Sequence, residues 1–149
     1  MDLYDWLFII SAIIFFSSIV GVFILTANDM TDKVKVFGLI LFVMIIPITL
    51  TLINYIIVGK DIRLIIFLIL ILIYLVVEFL LDTVLKIDFR SKLSRHVPYI
   101  IIEWAACYSF VVGSLTLDLT WGLIVSFFFV AFIIALIYNI VKLKRKKGT

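Results

Sequence analysis

Three carboxylates lie inside apolar stretches where such groups are rare: Glu78 and Asp82 in one, Glu103 in the next. Glu78 and Asp82 are four residues apart, so on a helix they share a face with Tyr74 one turn earlier. Glu103 follows Pro98 by five residues, roughly 8 Å into its helix at the α-helical rise, and counting back from residue 85 puts Glu78 at a similar depth. Two carboxylates at one level on adjacent antiparallel helices cannot both stay charged in a low dielectric. They share a proton, bind a cation, or pair with a base.

Each arrangement implies its own chemistry. A shared proton suits proton coupling. A bound cation suits transport or metal-assisted lipid chemistry with His96 as a nitrogen ligand, and which metal, if any, stays open. A pairing base makes the cluster structural, and Lys86, Arg90 and Arg95 are the bases that could reach it. Structural pairing is the expected arrangement. No catalytic residue and no cofactor is assigned, since the chain has no HExxH pair and no Gly-rich phosphate loop, and its one histidine lies in a basic segment.

The elements that hold these residues follow from composition. Of 149 residues 66% are hydrophobic and 15% charged, with mean hydropathy +1.35. An ordinary soluble domain carries about 45–50% apolar and about 25% charged residues, so that class is excluded. Apolar runs cut by charge clusters predict five helices, at about 7–27, 36–58, 64–85, 98–117 and 121–141, each near the roughly 20 residues a bilayer crossing takes. The expected fold is all-α: a polytopic integral membrane bundle forming one membrane domain over residues 1–149, with no nucleic-acid partner. Asp2 and Asp5 at the start, without a cation, speak against a cleaved leader. Cys107, the single cysteine, closes no bridge within the chain and suits a small core position on the Glu103 face.

Orientation follows from the cations in the connections. With five spans, Lys60 and Arg63 fall on one side. Lys33, Lys35, Lys86, Arg90, Lys92, Arg95 and the five cations of the tail at 142–149 fall on the other, eleven against two. This predicts the N-terminus outside and the C-terminus in the cytoplasm, in the cell membrane. Residues 85–97 place Leu85, Phe89, Leu93 and Val97 at i+4 steps, the pattern of an interfacial amphipathic segment, and Pro98 suits the first turn of the helix that follows. Lys86, Arg90, Lys92 and Arg95, with Lys142, Lys144 and Arg145, would then meet anionic lipid headgroups, although topological anchoring alone accounts for them.

Other features are compatible with packing. Pro47 invites a kink in mid-span. Ser17, Ser18 and Gly21, and Ala105, Ala106, Gly113 and Ser114, form small-residue surfaces whose partner is either within the chain or in another subunit. Asn54 and Asn139 suit interhelical bonding, and Tyr4, Trp6 and Trp121 at one end with Tyr99, Trp104 and Tyr138 at the other suit aromatic belts. A similarity between residues 37–56 and 121–140 hints at an inverted repeat relating the second and fifth spans. The function expected is a small non-enzymatic membrane component, with membrane lipids and a homo-oligomer or larger complex as partners. The alternatives are a proton- or cation-coupled transporter or channel using Glu78, Glu103 and Asp82, and an enzyme acting on lipid headgroups with the same acids and His96.

Overall fold

The computed structural model describes residues 1–85 and 93–148, with the backbone alone for Thr31, residues 93–97 and Lys147. Six α-helices account for nearly all of them: α1 (Leu3–Ala27), α2 (Thr31–Val43), α3 (Ile45–Val58), α4 (Ile62–Phe79), α5 (Leu93–Leu117) and α6 (Leu119–Lys147). A π-helical turn, Leu80–Val84, prolongs α4. The fold is all-helical, and five stretches are long and apolar enough to cross a membrane: Leu3–Ala27, Asp32–Val58, Ile62–Val84, Pro98–Leu117 and Leu119–Lys146.

Local chemistry explains where the elements begin and break. The first helix starts four residues ahead of the expected 7 because Asp2 and Asp5 form a capping box. The Asp2 carboxylate accepts from the Tyr4 and Asp5 amides at 2.9 Å, and the Asp5 carboxylate accepts from the Asp2 amide at 2.9 Å. Pro47 has no N–H to offer the Val43 carbonyl, and the second apolar stretch divides at Met44 into α2 and α3. The fifth stretch is one uninterrupted helix, α6, so the two halves of the suggested repeat differ in this respect. Gly59, at φ 71°, ends α3 in the left-handed conformation, and Asp61 and Asp118 cap α4 and α6. Pro98 stands sixth in α5 rather than in its first turn, because the helix starts back at Leu93. Its missing N–H withdraws a partner only from Ser94, still near the helix end.

Helix α1 is central, packing against α2, α3, α5 and α6, while α4 packs on α3 and α5. Aromatic rings fill the middle. Phe8, Phe15, Phe16, Phe110 and Phe132 are fully buried, with Phe15 and Phe110 centroids 4.8 Å apart and the Phe16 ring edge-on to Phe15 at 5.4 Å. Three glycines serve close contacts inside the chain, whereas Ser17 is exposed. A Cβ on Gly21 would lie 2.8 Å from the Phe37 ring, one on Gly113 would lie 2.7 Å from Phe8, and one on Gly122 would lie 2.5 Å from the Leu115 backbone. Of the consecutive Phe127, Phe128 and Phe129, the first points outward and the third packs on Phe16.

The ends of α1 have different neighbours. Asp2 and Asp5 meet Lys60 at one end; Asn28 and Asp29 meet Lys142 and Lys146 at the other. The chain therefore starts and finishes at opposite ends of a helix about 37 Å long.

Candidate functional site

Helices α4 and α5 bring Glu78, Tyr74, Tyr99 and Glu103 to one buried place against α1 and α2. Glu78 is 3% exposed and Glu103 2%. The Tyr99 hydroxyl donates to the Glu78 carboxylate, and the Tyr74 and Tyr99 hydroxyl oxygens are 2.7 Å apart. Helical spacing selects these side chains: Tyr74 and Glu78 are one turn apart on α4, Tyr99 and Glu103 one turn apart on α5. All four line a cavity of about 10 Å³ with Ile19, Val22, Phe23 and Leu41. That is about the space a single water requires.

The structure unites Glu78 and Glu103, and it separates Asp82 from them. Asp82 is exposed on the π-helical turn and absent from the cavity wall, although four residues from Glu78. It lies against α2 instead, where a Cβ on Gly38 would be 3.1 Å from its Oδ2. Helical spacing sets a direction around the axis but leaves burial to the neighbours, and one turn further along α4 carries Asp82 out of the space between α1 and α5. Cys107 is fully buried one turn beyond Glu103. Lys86, Arg90 and Lys92 lie outside the described residues, as do the side chains of Arg95 and His96, and with them the amphipathic expectation for 85–97.

Two features escaped the sequence reading. Tyr99, expected in an aromatic belt, is 5% exposed and belongs to the cluster; its position four residues before Glu103 was the available signal. A second buried polar group sits at the opposite end of α1. Asp5, 3% exposed, accepts from the Tyr55 hydroxyl at 2.7 Å and from the Lys60 ammonium at 3.0 and 3.1 Å, and Lys60 also pairs with Asp2 at 3.2 Å. The capping-box spacing of Asp2 and Asp5 was legible, but Tyr55 and Lys60 are 50 and 55 residues away.

In this second group two residues outside the apolar stretches are held in their charged forms. The amide of Asp5, aided by Lys60, holds the Asp2 carboxyl below its usual value. Burial works against the charged form of Lys60, but hydrogen bonds and charge from Asp5 and Asp2 outweigh it and raise its pKa. Among the described residues no three His, Cys, Asp or Glu side chains are grouped to hold a metal. The side-chain oxygens of Asn54, Ser114 and Asn139 are buried without a hydrogen-bond partner.

The tail cations lie on the last turns of α6. Lys142 donates to the Asn28 amide oxygen and, at 3.2 Å, to the Tyr138 hydroxyl. Lys146 pairs with Asp29 and donates to the Ala27 carbonyl at 3.2 Å, while Lys144 and Arg145 are exposed. No protein-family model matches this chain, and no curated protein or solved structure matches it significantly.

Proposed function

We propose that this chain is an integral membrane protein crossing the cell membrane five times, N-terminus outside and C-terminus cytoplasmic, and that it serves as a non-enzymatic component of a membrane assembly. Insertion is supported by five helices of spanning length and by the outward-facing apolar side chains they carry, such as Ile46, Ile57, Ile69, Leu123 and Ile134. Orientation is supported by charge. The end proposed as outer holds Asp2, Asp5, Asp61 and Asp118 against Lys60 and Arg63, and both cations have carboxylate partners. The cytoplasmic end carries the basic turns of α6, and the proposed topology assigns the connection between the third and fourth spans, with Lys86, Arg90, Lys92 and Arg95 in its sequence, to the same side.

The observation that carries the non-enzymatic reading is the size of the space between Glu78 and Glu103. Among the described residues the space these acids line is about 10 Å³, room for one water. The working surface is then the outside of the bundle, where α2, α3 and α6 are the least covered by the rest of the chain. A second reading, proton handling, draws on the hydrogen-bonded Tyr74, Tyr99 and Glu78 beside that water-sized cavity.

Native mass spectrometry of gently extracted protein, with elemental analysis of the same sample, tests the first reading. A protein that travels in fixed stoichiometry with the chain, or a defined oligomer, supports it. A bound metal that leaves on Glu78→Gln overturns it. Proton flux in liposomes that stops on Glu78→Gln, with folded yield retained, selects the second reading. Single-cysteine labelling at Asp2 and Thr149 checks the topology, and access to both from one side rejects it.

A further inference from the structure

Beside the last turns of α6 a groove of about 610 Å³ is lined by Tyr138, Val141, Lys142, Arg145 and Lys146. Two of its lysines are tethered to the connection between α1 and α2, in electrically different ways. Lys146 meets the Asp29 carboxylate, which matches its charge. Lys142 is held by the Asn28 amide oxygen and the Tyr138 hydroxyl, with its Nζ 5.5 Å from the Tyr138 ring centroid. Both acceptors are neutral. Among the described residues no carboxylate balances the Lys142 charge, yet its flexible stem is already fixed, so a bound anion would not bear the full cost of ordering it.

Below this cationic mouth α6 presents Ile134, Ile137 and Val141 outward, spaced along one helix face. A fixed cation beside a phenolic hydroxyl, above an apolar stripe, matches the anatomy of a phospholipid: a phosphate at headgroup level, and acyl chains alongside the helix.

We infer that this groove binds an anionic phospholipid, with its phosphate at Lys142 beside the Tyr138 hydroxyl, its headgroup against Arg145 and a chain along Ile134, Ile137 and Val141. The inference rests on the bilayer-spanning reading, which sets the end of α6 in the cytoplasmic headgroup layer, and it goes beyond general anchoring by naming one groove and one cation. Lys144 is the internal control, since it is a tail cation too but does not line the groove.

The test is native mass spectrometry of the full chain in detergent, titrated separately with phosphatidylglycerol, phosphatidylcholine and soluble glycerol 3-phosphate. Phosphatidylglycerol should bind at one retained copy and more tightly than phosphatidylcholine. Lys142→Gln should weaken it about fivefold or more, Lys142→Arg should largely preserve it, and Lys144→Gln should leave it near the parent value. Thermal unfolding of each variant confirms that it is folded. Equal binding of the two lipids, or equal losses for Lys142→Gln and Lys144→Gln, overturns the inference in favour of diffuse anchoring. Full competition by glycerol 3-phosphate overturns it in favour of a free-anion site. Failure of the bilayer reading shows separately, as a chain that stays dissolved without detergent.

Discussion

Tyr99 spends its one hydroxyl proton on Glu78 across the α4–α5 interface, so the hydrogen bond between Tyr74 and Tyr99 has Tyr74 as donor. The chain is thereby directed, Tyr74 to Tyr99 to Glu78, and it delivers a hydrogen bond to a carboxylate screened from solvent. Losing its middle member costs more than losing its first.

Tyr99→Phe should lower stability by about 1–3 kcal/mol, because it leaves a buried carboxylate short of a donor. Tyr74→Phe removes a neutral hydrogen bond and should cost about 0.5–1.5 kcal/mol. Thermal unfolding in detergent measures both. A loss for Tyr74→Phe as large as that for Tyr99→Phe would contradict the direction assigned to the chain.

Glu78 and Glu103 line one small cavity, so their substitutions should not be independent. Combining Glu78→Gln with Glu103→Gln should cost less than the sum of the single changes, with a coupling of about 0.5–3 kcal/mol. Unfolding of the four proteins in the cycle gives that number, and additivity within about 0.5 kcal/mol would mean that the two acids do not interact.

The pair at the other end responds to pH in a direction set by its shifts. Lys60, with its pKa raised, contributes fully below the usual lysine value of about 10.4, and the contribution is lost as pH rises through the higher folded value. Asp2, with its pKa lowered, contributes fully above about 3.9 and loses that contribution as pH falls through the lower folded value. Lys60→Met should therefore remove the alkaline decline and weaken the acidic one. It should cost about 1–2 kcal/mol at neutral pH, less than a fully buried pair, because the Lys60 side chain keeps 26% exposure. Melting temperatures from pH 3 to pH 11 decide; an unchanged alkaline limb in the variant would assign that decline to other groups.

Two glycines that both allow close approach should differ when filled. Gly122→Ala drives a Cβ to 2.5 Å from the Leu115 Cα, which is backbone and cannot swing aside. Gly21→Ala meets the half-buried Phe37 ring at 2.8 Å, and a ring can turn. The first should cost about 1–3 kcal/mol and the second clearly less. Similar losses would place the strain elsewhere.

Much of the architecture was legible without coordinates. Runs of Leu, Ile, Val and Phe bounded by charges marked all five spanning-length stretches, because their length and apolar composition are properties of a contiguous segment. Pro47 announced the interruption that appears at Met44, and Glu78 and Glu103 were matched in depth by counting residues from the connection between them.

Contacts between segments were beyond that reach. The short capping reach of Asp2 and Asp5 was visible in their spacing, but the enclosure of Asp5 by Tyr55 and Lys60 depends on how α3 packs on α1. Tyr99 and Asp82 show the same limit from opposite sides: one left an expected interfacial belt for the core, and the other left an expected cluster for the surface. Helical periodicity states which residues share a face, and it says nothing of which faces meet. The amino-acid sequence alone thus determined the number of spanning-length stretches and the rarity of the charges inside them. Only the packing of α1, α4 and α5 decided which charges are enclosed together, because enclosure is a property of the helices surrounding a residue and not of its own segment.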